Sequence, residues 1–344
     1  ESWDGTNWST SPATLANART SQPSIGTSTA ALFVGGPNPS YPGGWVEEFN
    51  RSTNVITGAA WASGGALPLV RSGSGGAGTQ AAALNIGGEN GAAIFGTTEE
   101  YNGSSWAAGG DLNASPSFFM AAGGTQTAGI RAGGFTGPVG TDAQNAAEEY
   151  DGTSWTAVIA LPTATGSGMF AGIQTAGIVF GGSTPSVVTT SLDYNGTSWT
   201  ATNSLAVAKS TGAGFGTQAA AIAAGGSNPG LGPGTTAFTN NTQIWDDTNW
   251  TTTANLNNSR TNLRGWGSST SGAVAGGRVP APSSTAATES WDGSSWVTSA
   301  NLGTGGYLGS TAGGPTAPSG LYAGGGRAPG NAASTATEEF TGET

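Results

Sequence analysis

Four pairs of adjacent carboxylates, Glu47-Glu48, Glu99-Glu100, Glu148-Glu149 and Glu338-Glu339, are the residues of this chain best suited by type to acid–base chemistry. Glycoside hydrolysis needs two carboxyls facing each other across a cleft, ~5 to 9.5 Å apart. Neighbours on a strand point to opposite faces, so the pairs predict a structural use: one carboxylate outward, the other bonded to a neighbouring repeat. Bases recur at one register, four residues after a leucine, as Arg19, Arg71, Lys209 and Arg260, with Pro116, Thr165 and Gly306 at the equivalent places. Such bases could hold an acidic sugar or a carboxylate. Asp-Gly-Thr-Ser and Asn-Gly-Ser-Ser segments, and the Asn-x-Ser/Thr sequons at Asn7, Asn102, Asn195 and Asn249, are read as turn chemistry before calcium loops or glycan sites.

The composition excludes much else. Cysteine and histidine are absent from the 344 residues, which removes thiol nucleophiles, Cys/His zinc or copper sites, disulfides and a Ser-His-Asp triad. The formal net charge is −11 with a single lysine, Lys209, against the clustered bases that nucleic acid requires. No apolar run approaches the ~18 residues of a membrane span. No cofactor and no metal is expected. Glycine numbers 61, but twelve tryptophans and eleven phenylalanines argue for packed structure over disorder.

The elements that must position these residues come from a repeat. Glu148-Glu-Tyr-Asp-Gly-Thr-Ser-Trp155 returns as ESWDGTNW from Glu1, EEYNGSSW from Glu99, LDYNGTSW from Leu192, QIWDDTNW from Gln243 and ESWDGSSW from Glu289. A variant, EEFNRSTNVI, begins at Glu47, and EEFTGET closes the chain. A Gly-Gly pair ends a short apolar run seven times, from Gly35-Gly36 to Gly324-Gly325, and a leucine follows the second aromatic seven times, from Leu15 to Leu302. Three markers in register predict seven units of ~50 residues.

Within one unit, Gly168–Ile173 and Ala176–Phe180 flank a tight reversal at Gln174-Thr175. A polar loop leads to Ser191–Tyr194, and Asn195-Gly196, read as a type I′ hairpin turn, leads to a strand opening at Trp199. No helical periodicity persists. Each unit is a four-stranded antiparallel meander with two apolar faces, and a radial arrangement lets each sheet cover its neighbours. Paired aromatics such as Tyr150 and Trp155 pack between blades, and glycines let the innermost strands crowd a central channel.

At these residues the chain resembles the kelch-repeat family: a glycine pair ends the second strand, and an aromatic and a tryptophan flank the following turn. Phe49 to Ile56 comes nearest the family spacing. The repeated DGTSW and TQTAG phrases are similar to kelch-like proteins of marine bacteriophages and bacterial surfaces. The resemblance implies an all-β, seven-bladed β-propeller of four-stranded blades and a binding role, and for the bases at Arg19, Arg71, Lys209 and Arg260 it implies packing between repeats instead. Its oxidase relatives resemble galactose oxidase, whose copper site needs histidines.

The expected organisation is one domain, 1–344, its ring closed by pairing the terminal strands. Residues 1–15, through Asn7-Trp8-Ser9-Thr10, supply the last blade's fourth strand. Glu1-Ser-Trp3 then duplicates Glu338-Glu-Phe340, so one copy is displaced or the chain is cut from a longer array. Long, variable strand 2–3 loops share a face with the strand 4–1 links, and rigid-scaffold loops carry recognition. Tyr41, Trp45, Phe135, Asn228, Asn240 and Arg278 are the expected ligand contacts there, with exposed aromatics stacking on sugar rings. Arg19, Arg71, Lys209 and Arg260 are expected near the channel mouth. The expected function is an extracellular, non-enzymatic module on a virion tail or fibre appendage or a cell surface, contacting a glycan or protein. The alternatives are a purely structural decoration or linker domain, and a carbohydrate-active enzyme.

Overall fold

The computed structural model describes residues 2–3, 8–9, 24–26, 30–34, 46–50, 59–114, 117–137, 142–228, 238–280, 283–327 and 332–342, with side chains from residue 59 onward. The chain divides into two compact units, Glu1–Ile56 and Thr57–Thr344. In the first, Ser2–Trp3 pairs with Trp8–Ser9, and Ser24–Gly26, Ala30–Val34 and Val46–Asn50 form a three-stranded antiparallel sheet.

Among its described residues the second unit contains six four-stranded antiparallel sheets. Sheet one is Gly75–Thr79, Ala82–Ile86, Thr98–Tyr101 and Trp106–Ala108. Sheet two is Ala121–Thr125, Ala128–Ala132, Ala147–Tyr150 and Trp155–Val158. Sheet three is Met169–Ile173, Ala176–Phe180, Ser191–Tyr194 and Trp199–Thr202. Sheet four is Ala213–Thr217, Ala220–Ala224, Thr242–Trp245 and Trp250–Thr253. Sheet five is Arg264–Gly267, Gly272–Ala275, Thr288–Trp291 and Trp296–Ser299. Sheet six is Ser310–Gly313, Ser319–Ala323 and Thr337–Thr341, with Ala60–Ser63 as its fourth strand.

That last pairing corrects the expected one. Trp8–Ser9 pairs with Ser2–Trp3, and Ala60–Ser63 takes the place on Thr337–Thr341 assigned to it from sequence. The cause is hairpin length. Trp3 and Trp8 are joined by the same four-residue connection that holds Tyr101 to Trp106, whereas Phe49 and Trp61 are twelve residues apart. The short connection returns the chain onto its own strand; the long one does not enforce that return.

Sheets cover one another through apolar clusters. Leu84 and Ile86 of sheet one pack with Tyr150 and Trp155 of sheet two, Ile130 of sheet two with Phe170 and Tyr194 of sheet three, and Trp266 of sheet five with Phe340 of sheet six. Ala83 and Tyr101 of sheet one pack with Leu321 and Ala323 of sheet six. Burying a side chain of this size is worth ~1.5–3 kcal/mol, and neither face of one sheet is covered without a neighbour. The two aromatics of a hairpin stack, Tyr150 on Trp155 at 5.0 Å. The Trp155 indole N–H reaches Thr98 Oγ1 of sheet one at 2.9 Å, and the Trp106 N–H reaches Thr337 Oγ1 of sheet six at 3.0 Å.

Innermost strands lie side by side from sheet one through sheet six, and sheet six lies against sheet one. Where each begins, a residue in the left-handed region donates its N–H to the equivalent carbonyl of the preceding sheet: Phe119 to Gly73, Ser167 to Phe119, Thr211 to Ser167, Asn262 to Thr211, Leu308 to Asn262 and Gly73 to Leu308, at 2.7–3.2 Å. Glycine is required where these strands touch: a Cβ on Gly76 would stand 2.3 Å from the Thr311 carbonyl oxygen.

The turns differ from the sequence expectation. The connection after Tyr101 is a four-residue loop in which Asn102 Oδ1 accepts the N–H groups of Ser104 and Ser105 at 3.0 and 2.9 Å, and within it only Gly103 has positive φ. An Asx-type turn thus replaces the type I′ turn. At Asp151, Asp246 and Asp292, these same backbone bonds hold the carboxyls below the usual range.

Candidate functional site

The recurring bases among the described residues, Arg71, Lys209 and Arg260, do not face a channel mouth. Arg71 and Arg260 are wholly buried inside their own sheets. The Arg260 guanidinium donates to the carbonyls of Gly276 and Ala287 at 2.9 and 2.7 Å and to Glu289 Oε1 at 2.5 Å. Arg71 donates to the Gly87 carbonyl at 2.8 Å and to Glu99 Oε1. Burial pulls the Arg71 guanidinium down and the Glu99 carboxyl up from their ordinary values, while their mutual attraction opposes both shifts.

Two sheets that lack a base in that register receive one from elsewhere. Arg131, directly across from Glu148 on the next strand, donates to it and to the Ala146 carbonyl at 3.3 Å; Arg327 donates to Glu338 Oε1 at 2.6 Å. Sheet three has Thr165 at the base position and Leu192 at the acid position. In five of the six sheets charge is present or absent as a pair.

Sheet four breaks the pairing. Lys209 is wholly buried and donates to the carbonyls of Ala223 and Asn241 at 3.1 and 2.8 Å and to Asn241 Oδ1 at 3.1 Å, while Gln243 stands at the acid position. Burial without a carboxylate pushes its pKa down from 10.5 to about 7. Between those values the unfolded chain holds the proton that the folded one has lost, so this residue makes stability rise with pH from about 7 toward 10.5 and contributes no slope below. The denaturant midpoint of wild type minus that of Lys209→Met is expected to rise with pH across that range; a constant difference would mean that Lys209 titrates normally.

In the three pairs whose side chains are described, the second carboxylate is not outward either. Glu100 accepts the Tyr150 hydroxyl at 2.5 Å, Glu149 that of Tyr194 at 2.8 Å and Glu339 that of Tyr101 at 2.5 Å, in each case from the following sheet. Burial first, and these carboxylates second, push Tyr101 and Tyr150 up to about 12. Both members of these pairs are therefore committed to the frame.

Links between sheets meet the strand 2–3 loops on one face, where Phe118 bridges Phe135, Gly166 bridges Ser183, Ser210 bridges Ser227 and Thr261 bridges Arg278. Of the expected contacts there, Tyr41 and Trp45 lie outside the described residues, as does Arg19 of the bases expected at the channel mouth. Phe135 is not an exposed platform: it is 6% exposed and packed against Phe118 and Phe119 at 5.9 and 6.4 Å. Asn228 is half-buried, and Asn240 spends its amide on the Leu256 carbonyl at 3.1 Å. Arg278 is half-exposed and stacks 4.2 Å from the Tyr307 ring centroid, donating to its hydroxyl at 3.2 Å. Sequence reading missed Tyr307, whose signal was an aromatic in the link just before an innermost strand.

The innermost strands also surround an open space of ≈ 480 Å³, counting solvent at its mouth. All six contribute, through residues such as Gly75, Ala121, Met169, Gly214, Arg264 and Thr311. Among the described residues Arg264 is the one titratable side chain in that wall, and the repeat register does not mark it because its equivalents carry no charge.

Repeated four-stranded antiparallel sheets, with innermost strands side by side, define a β-propeller. In structure the chain is similar to YjhT, a kelch-like β-propeller, with a TM-score of 0.65 and 15% identity over 82% of this chain and 98% of that one. No protein-family profile matches the sequence, and no curated protein matches it.

Proposed function

We propose that Thr57–Thr344 closes on itself as a six-bladed kelch-like propeller, one blade fewer than the seven repeat markers suggest. We propose further that it serves as a non-enzymatic recognition module on a virion appendage or cell surface, holding a glycan or protein against the loop face. The observation carrying this reading is the half-exposed Arg278–Tyr307 stack, a cation and an aromatic face set on a frame whose own charges are consumed internally. Exposed aromatic and arginine side chains on rigid supports are the usual anchors of recognition.

A second reading, a linker or decoration domain without ligand, is favoured by the burial of Phe135 and the commitment of Asn240. A glycan array separates the two. Under the recognition reading, wild type gives signal and Arg278→Ala/Tyr307→Ala reduces it at least tenfold. Equal signal from both proteins removes the loop face as the glycan contact, and no signal from either leaves a protein partner or the linker reading.

A further inference from the structure

We infer that the central channel holds a small oxyanion, a carboxylate or a phosphate group, on Arg264. This is separate from recognition at the loop face. Arg264 opens the innermost strand of sheet five and keeps partial exposure to the channel. Its Nε–H is spent on the Gly309 carbonyl at 2.6 Å, and Nη1 reaches the Leu263 carbonyl only at 3.5 Å. Nη2 makes no hydrogen bond among the described residues. The guanidinium therefore presents its Nη1–Nη2 edge, the two-donor fork that matches carboxylate and phosphate oxygens.

The other four buried guanidiniums each have a carboxylate, on Glu99, Glu148, Glu289 or Glu338; Arg264 has none among the described residues. A guanidinium stays charged, and an inward-facing cation without counter-charge is costly. The channel wall offers no acid to answer it. Ser74, just before the sheet-one strand, borders the same wall, with its hydroxyl covered and without a hydrogen-bond partner among the described residues. Glycine, alanine, methionine and Phe170 make up most of the remaining lining, leaving room for a compact anion and few groups to grip an extended one.

The test uses the full chain. Thermal midpoints are measured with increasing inorganic phosphate, and separately with acetate, against sodium chloride at matched ionic strength. A saturable rise with either salt is expected in wild type, with at least tenfold weaker apparent affinity in Arg264→Gln. Whichever salt acts at lower concentration identifies the phosphate or the carboxylate source. Should Arg264→Gln fail to fold, Arg264→Lys keeps the charge, loses the fork and is expected to weaken binding. Crystals grown with selenate should then show an anomalous peak within hydrogen-bond distance of Arg264 Nη2 in wild type. No saturable response in wild type, an unchanged response in the variants, or an empty channel in selenate crystals overturns the proposal.

Discussion

Replacing Glu289 by leucine is expected to cost about 3–5 kcal/mol, because it leaves the Arg260 guanidinium wholly buried without its counter-charge. It also strips the Asn257 N–H of the Glu289 Oε2 acceptor it reaches at 2.8 Å. Sheet three shows how the same site is built without charge. There Thr165 replaces the base, Leu192 replaces the acid, and Pro162 stands where Asn257 offers its N–H, so no donor is left to satisfy. The apolar surroundings correspond as well: Leu192 pairs across the sheet with Val179, and Glu289 pairs with Val274. The combination Asn257→Pro/Arg260→Thr/Glu289→Leu transplants that arrangement and is expected to return to within about 1 kcal/mol of wild type, as exchange of a buried ion pair for packed apolar groups allows. Urea midpoints at one pH, read as a mutant cycle, decide it. If the triple variant is no more stable than Glu289→Leu, the sites are not interchangeable and something beyond pairing holds sheet five.

That compensation also marks what the sequence made legible. Tryptophans, glycine pairs and leucines are local markers, and each reports a local constraint. Gly87 and Gly88 both take positive φ, and a Cβ on Gly87 would stand 2.4 Å from the Ser117 carbonyl oxygen, so the pair is visible wherever the constraint recurs. The bases were misplaced because only a register along the chain was read. Arg131 and Arg327 fill the same role from other strand positions, and the surviving signal was the acid, Glu148 or Glu338, standing without a base four residues after a leucine. Arg264 belongs to no marker at all. Its equivalents are Gly75, Ala121, Met169, Ala213 and Ser310, and its meaning comes from the channel that the six strands form together.

The number of blades turns on a choice between two candidate closing strands, and truncation distinguishes them. Starting the chain at Thr57 discards Trp8–Ser9 but keeps Ala60–Ser63 on the edge of Thr337–Thr341. This fragment is expected to unfold cooperatively at the midpoint of the intact second unit. Starting at Gly64 removes Trp61, which packs 5.1 Å from Phe340 and 5.8 Å from Trp266 and donates its indole N–H to the Ala300 carbonyl at 2.9 Å. Loss of this half-buried tryptophan alone is worth about 3 kcal/mol, near the low end for truncating a large aromatic. The backbone edge of Thr337–Thr341 is laid bare at the same time. The shorter fragment should therefore melt far below the longer one or aggregate, and a synthetic Thr57–Ser63 peptide should raise its midpoint in a concentration-dependent way. Had Trp8–Ser9 been the closing strand, removing residues 1–56 would inflict the damage and the further seven residues would matter little. Equal midpoints for the two fragments would leave Ala60–Ser63 without its assigned role and reopen the count of blades.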